Sequence, residues 1–446
     1  MSLDRRLLIA ITAFVRVGAA DPGDDEPRLE ELTGAPPPGE ESGRSDVTED
    51  SSIARDVGRG ALAVPRVALE VVAAPVRGGL WVFERYQLEE RYYQLFFNDA
   101  RTMGVLPTLA LRSGFGVTAG AKLVHQDLFG GRERARLLAA TGGRYRELAV
   151  ASISTGQRLG RFAVELEGGF ERRAKEAYYG LGNVDDAAEA RYRLQVLRGK
   201  GSVDARVARS LFVKTSATIA SFEHDISESG PPILDLYPLD LMTGFDGFRH
   251  AYGEVELRWD GRGPGDAWDH PATYGHGALL SAFAGRAVGL DETASYTRYG
   301  VDLQHYLRLG AGPRVLAVRL YGEGVTGPYE DVPFTELPRL GGKELLRGYP
   351  LDRFRDRASA LGSVEYSWAL SRFVTTSAFV DAGRVVPSFQ DLTTSDLRVG
   401  YGLGLQLYSK HSFLLRASLA TSIDGGVFVD VAFDPSFEPR ARLEPP

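Results

Sequence analysis

The chain has 446 residues, 43% of them hydrophobic, 10% aromatic and 25% charged, with 52 basic against 59 acidic side chains and a net charge of -7. This composition excludes wholesale disorder and offers no cationic field for nucleic acid. The absence of cysteine excludes a disulfide scaffold, a thiolate metal site, a cysteine nucleophile and an N-terminal lipoprotein anchor. Beyond the first twenty residues no apolar run reaches the roughly 18 residues of a spanning helix, which leaves a soluble fold or a membrane β-barrel, whose outward apolar residues are diluted by alternation.

Residues 1–20 read as a signal peptide: Arg5 and Arg6 precede the apolar stretch Leu7 to Val15, and Val17-Gly18-Ala19-Ala20 supply small residues before Asp21. Export without cysteine suits the envelope of a Gram-negative bacterium. Residues 21–50 are acidic and contain Pro36-Pro37-Pro38, a composition that buries too little apolar area to offset ordering entropy, so a disordered leader is expected. Residues 51–104 show helical periodicity broken at Pro65 and Pro75. Their aromatics, from Trp81 to Phe97, cannot share one helix face, which suggests a helical periplasmic segment touching both a barrel mouth and the headgroup layer.

From Val105 to Phe433 the period is two. In residues 397–408 one face reads Leu397, Val399, Tyr401, Leu403, Leu405, Leu407 and the other Arg398, Gly400, Gly402, Gly404, Gln406, Tyr408. The same division sets Val255, Leu257 and Trp259 against Glu254, Glu256 and Arg258, and Val364, Tyr366 and Trp368 against Ser363, Glu365 and Ser367. A soluble sandwich also alternates, so periodicity alone does not say which face is inside. The exported N-terminus, aromatics near segment ends and the number of segments favour an all-β, sixteen-stranded antiparallel transmembrane barrel over residues 105–433, followed by a tail, 434–446. The sixth strand is placed at 190–198, with 199–210 extending it or belonging to the seventh. Long connectors at 173–189, 225–247, 261–275 and 326–358 alternate with short turns, as in barrels with one end outside and one in the periplasm.

The longest late connector contains Leu340-Gly341-Gly342-Lys343-Glu344-Leu345-Leu346-Arg347-Gly348-Tyr349, followed by Phe354 and Asp356. Glu365-Tyr366 lies on the next strand, Phe379-Val380-Asp381-Ala382-Gly383 on the one after, and Tyr178-Tyr179-Gly180-Leu181-Gly182-Asn183 in an earlier connector. With these motifs the chain resembles the superfamily of BamA, TamA and the two-partner-secretion transporters, the bacterial surface antigen barrels. That family carries a Gly-Gly step and a (Val/Leu)-Arg-Gly-(Phe/Tyr) motif in its sixth extracellular loop, and Phe-x-Asp-x-Gly on its thirteenth strand. The resemblance implies outer-membrane protein assembly or translocation. Parity puts Glu365 and Asp381 on the non-apolar faces of adjacent strands, so that one planar guanidinium, Arg347, could grip both and pin the loop in the lumen. Gly341, Gly342 and Gly348 would permit the turns and close approach. Two departures stand out: residues 21–104 carry no strand pattern for a POTRA domain, and thirteen residues follow the barrel's last aromatic, Phe433.

Gly425 and Gly426 open a short final strand, which is either a weak seam between first and last strands or simply a turn. The expected partners are outer-membrane lipid and unfolded outer-membrane or secreted proteins, with no nucleic acid and the chain as a monomer. The competing function is a passive pore for small solutes. An enzyme is disfavoured, since the seven histidines show no zincin or triad spacing. Neither cofactor nor metal is called for; Asp266, Asp269 and His270 read as a solvated loop.

Overall fold

The computed structural model describes residues 95–112, 116–156, 158–264, 274–291, 295–310, 313–371, 373–408 and 413–436. The signal peptide, the leader, most of the 51–104 segment, residues 437–446 of the tail, and Asp266, Asp269 and His270 lie outside these. The first eight strands are β1 (Met103–Arg112), β2 (Gly116–His125), β3 (Arg134–Thr141), β4 (Arg146–Ser154), β5 (Phe162–Tyr178), β6 (Ala190–Arg206), β7 (Leu211–Ile226) and β8 (Phe248–Asp260). The second eight are β9 (Tyr274–Gly289), β10 (Tyr296–Arg308), β11 (Arg314–Val325), β12 (Ala358–Ser371), β13 (Val374–Val386), β14 (Arg398–Tyr408), β15 (Phe413–Ser422) and β16 (Val427–Ser436). Each pairs antiparallel with its sequence neighbours, and β1 pairs with β16, so the sheet closes on itself.

Solvent exposure decides the question that periodicity left open. On β8, Val255 is 53% and Leu257 51% exposed, while Glu256 between them is 3% exposed. On β10, Tyr299, Val301 and Leu303 are exposed and Arg298 and Asp302 buried. The apolar face is therefore the outside, the reverse of a soluble sandwich, and it needs a nonpolar surrounding. The inside is a polar lumen in which charges pair across strands, as Arg258 with Asp204 at 3.0 Å and Arg319 with Asp302 at 2.9 Å. At one barrel end Arg314 lies over the Trp368 ring at 5.9 Å, on the outward face, as in an interfacial girdle.

The structure moves several boundaries. β1 starts at Met103, inside the segment expected to be helical, and β16 runs to Ser436, into the expected tail. Residues 199–206 extend the sixth strand, and β5 reaches Tyr178. In both strands glycines and charges interrupt the apolar alternation, as in Arg198-Gly199-Lys200-Gly201, so periodicity fades although the ladder continues from Phe162↔Ala205 to Tyr178↔Ala190. The antiparallel order also puts the 261–273 connector at the opposite end from 179–189, 227–247 and 326–357, so long connectors are not confined to one end. From the aromatic segment, Phe97 packs with Leu106 and Val124 on the lumen face of β1 and β2. Its ring lies where a Cβ on Gly104 would be, at 2.7 Å, so only glycine allows this approach.

Candidate functional site

Residues 326–357 connect β11 to β12. Within this loop Arg339–Leu340 pairs with Phe354–Arg355 as a two-residue ladder, reinforced by Arg339 to Asp352 at 2.7 Å. The ladder's tip is folded on itself: the Gly341 N–H donates to the Leu345 carbonyl (2.7 Å) and the Gly342 N–H to the Tyr349 carbonyl (3.1 Å). Leu346, fully buried, packs with Leu340, Tyr349, Phe354, Leu361 and Val385, and holds a left-handed backbone at φ 64°. That conformation is costly for a leucine and is maintained here by the packing around it.

The turn at Leu346 aims Arg347 at β12 and β13. Its Nε donates to Asp381 Oδ2 at 2.7 Å and its Nη2 to Asp381 Oδ1 at 2.8 Å, a bidentate fork, while Nη1 donates to Glu365 Oε2 at 2.6 Å. The Arg347 main-chain N–H adds a bond to Asp381 Oδ2 at 2.9 Å. Ser363 on β12 completes the shell, accepting from Arg347 Nη2 at 3.3 Å and donating to Asp381 Oδ1 at 2.6 Å. The guanidinium also lies 3.5 Å from the centroid of the Phe379 ring, a cation–π contact. Phe379, Asp381 and Gly383 alternate onto one inward face of β13, while Val380 between them is exposed outward. Burial tends to lower the arginine's pKa, but the two carboxylates outweigh it and hold the guanidinium charged far above the ordinary range.

Glycine lets the loop backbone touch the wall. A Cβ on Gly400 of β14 would sit 1.7 Å from the Arg347 carbonyl, and one on Gly348, at φ 94°, would sit 2.2 Å from the Thr421 carbonyl. Tyr349 then reaches the barrel end: its hydroxyl donates to Asp424 Oδ2 at 2.9 Å, and burial with this carboxylate pushes it up to about 12. Gly425 and Gly426, with φ 90° and 83°, form the β15–β16 turn. The β1–β16 pairing itself lies further along, from Arg112↔Asp430 to Leu109↔Phe433, whereas β1 pairs with β2 along its whole length.

Three groups escaped sequence reading. Arg355 is 1% exposed, lies over the rings of Tyr178 (5.2 Å) and Phe334 (5.5 Å), and donates to the Phe334 carbonyl at 2.8 Å. Phe334 of the same loop fills an aromatic cluster with Tyr178, Tyr192 and His224, ring centroids 5.1–5.5 Å away. Arg298 of β10 is buried between Glu323 and Glu336. Tight spacing of Arg with Phe in the connector is the only sequence signal for the first two, and none marks the third. Among the described residues no group of three or more His, Asp or Glu could hold a metal ion.

Residues 274–426, which include the loop, its partner strands and Gly425-Gly426, match the Omp85 superfamily domain. This part of the barrel resembles an Omp85 domain. Among solved structures, the barrel is similar to BamA from Haemophilus ducreyi lacking POTRA domains 1–3, at 15% identity and a TM-score of 0.56, over 74% of this chain and 70% of that one. CdiB from Escherichia coli is similar at 11% identity and a TM-score of 0.50, over 74% of this chain. The match spans 62% of CdiB, less than two thirds of its length. At these identities the likeness is one of fold. No curated protein matches the sequence.

Proposed function

We propose that this Omp85-domain barrel sits in the outer membrane of a Gram-negative bacterium and assists the insertion or translocation of outer-membrane or secreted proteins. In this reading the 326–357 loop is the lumen element, pinned by Arg347. The observation that carries it is the bidentate Arg347–Asp381 fork with the Arg347–Glu365 bond, made by a loop residue to the inward faces of two adjacent strands. A pinned loop costs conformational entropy, and charge-assisted pairing of about 1.5–3 kcal/mol per bond offsets it, less where lumen water screens.

The seam supports the same reading. Among the described residues only Leu109 to Arg112 of β1 pair with β16, leaving Met103 to Thr108 paired on one side. A four-residue ladder is the weakest junction in the sheet and the place where the wall parts at lowest cost. A passive pore is the less supported alternative, because the loop packs Leu346 and Tyr349 against Leu361 and Val385 of the wall, and Phe334 among Tyr178, Tyr192 and Phe222, instead of leaving these inward faces to water. Folding of urea-unfolded outer-membrane barrels into vesicles holding the full chain tests the proposal: faster folding than into vesicles with an unrelated barrel is expected. No acceleration across several substrates would sink it.

A further inference from the structure

The connector 179–189 leaves β5 and returns to β6, and in a sixteen-strand ring β13 and β14 lie eight strands away in either direction. The two regions are nonetheless joined. Asn183 Nδ2 donates to the Val385 carbonyl at 2.7 Å, and the Val385 N–H donates to Asn183 Oδ1 at 3.1 Å. The β13–β14 ladder stops at Gly383↔Arg398, so β14 offers Val385 no partner, and Val385 is 1% exposed. One asparagine thus satisfies both main-chain groups of a buried residue on the far wall. Arg398 at the start of β14 holds the same asparagine, donating Nη2 to its carbonyl at 2.6 Å, and pairs with Asp185 and with Asp424.

The crossing segment also binds the 326–357 loop. The Gly182 N–H donates to the Arg355 carbonyl at 2.9 Å, and Arg353 Nη2 donates to the carbonyls of Val184 and Asp185, both at 2.8 Å. The Arg353 guanidinium lies 4.7 Å from the Tyr179 ring centroid. None of these contacts involves Arg347, Glu365 or Asp381. Asp424 connects the two sets, since it receives both Tyr349 and Arg398.

We propose that residues 179–185 are a strap across the barrel end, with Asn183 and Arg398 as its positioning residues, and that it is a second lock on the loop, separate from Arg347. The loop's return limb, Arg353 to Arg355, has to part from the strap before the loop leaves the lumen. This rests on the lumen-loop reading above. The strap adds that either lock alone leaves the barrel only partly closed.

Single-channel conductance of the full chain in planar bilayers tests it. Wild type is expected to stay closed, and Asn183→Ala to raise the open fraction about tenfold or more with Arg347 intact. Because the chain has no cysteine, Asn183→Cys with Val385→Cys supplies one reversible staple. In an Arg347→Ala background the oxidised staple is expected to hold the barrel at the open fraction of Arg347→Ala alone, and reductant is expected to open it further. If Arg347→Ala opens the barrel while Asn183→Ala matches wild type, or if reducing the staple changes nothing in that background, the strap is overturned. Failure of the lumen-loop reading has a different signature, an Arg347→Ala trace identical to wild type.

Discussion

Replacing Arg347 by alanine removes four side-chain hydrogen bonds, two to Asp381 and one each to Glu365 and Ser363. Asp381, with 3% of its side chain exposed, keeps only the residue-347 N–H and the Ser363 hydroxyl as donors. Stripping one member from a buried pair costs about 3–5 kcal/mol, because the remaining charge is uncompensated. The lower part of that range applies here, since Glu365 is partly exposed and lumen water can reach it. At 1.4 kcal/mol per factor of ten, about 3 kcal/mol is a hundredfold loss or more of protection for the loop. Hydrogen exchange by mass spectrometry on residues 341–350 reads it, with β2–β4 as the internal control. In a double-mutant cycle with Asp381→Ala the coupling should be about 2 kcal/mol or more, and Arg347→Lys, which keeps charge without the fork, should fall between. A change in loop protection below about threefold for Arg347→Ala would show that the guanidinium fork does not hold the loop.

Gly400→Ala puts a methyl 1.7 Å from the Arg347 carbonyl, so the loop should detach although every charged partner is present, visible as trypsin cleavage after Arg347. Leu346→Ala removes a fully buried side chain and should cost about 2–4 kcal/mol of loop protection in the same exchange experiment. Val301→Arg, on the outward face of β10, should cost about 2–4 kcal/mol in urea titrations of vesicle-folded protein, provided that face meets lipid. Asp356 is raised above the usual carboxylate range by burial, against the Tyr329 hydroxyl and the Arg357 N–H that stabilise its charge. A raised carboxyl favours the folded loop below the ordinary value near 3.9 and loses that contribution as pH rises through the folded value. Protection at 354–357 should therefore fall over that window, and Asp356→Asn should flatten the dependence.

What the sequence discloses follows from the range of the forces involved. Parity is local, so fourteen of the strands are placed within a few residues wherever apolar and polar positions alternate, and it fails at the end of β5 and where Gly199, Lys200 and Gly201 interrupt β6. Which face is out is a property of the closed sheet, settled only by the exposure of Val255 beside buried Glu256. Arg347 is legible because glycines flank it and its carboxylates lie on strands of known parity. Asn183 is not, because its partner Val385 is 202 positions away and is a main-chain group with no side-chain signature. Arg355 reads as one more loop charge until its rings are seen around it.

We propose that a barrel resembling Omp85 domains, with a loop pinned by Arg347, serves protein assembly. The most direct test is the folding rate of unfolded barrel substrates in vesicles containing wild type, Arg347→Ala or an unrelated barrel. Wild type is expected to accelerate folding, and Arg347→Ala to lose that acceleration at equal protein density. Equal rates in all three vesicle types, or full acceleration by the variant, would contradict it.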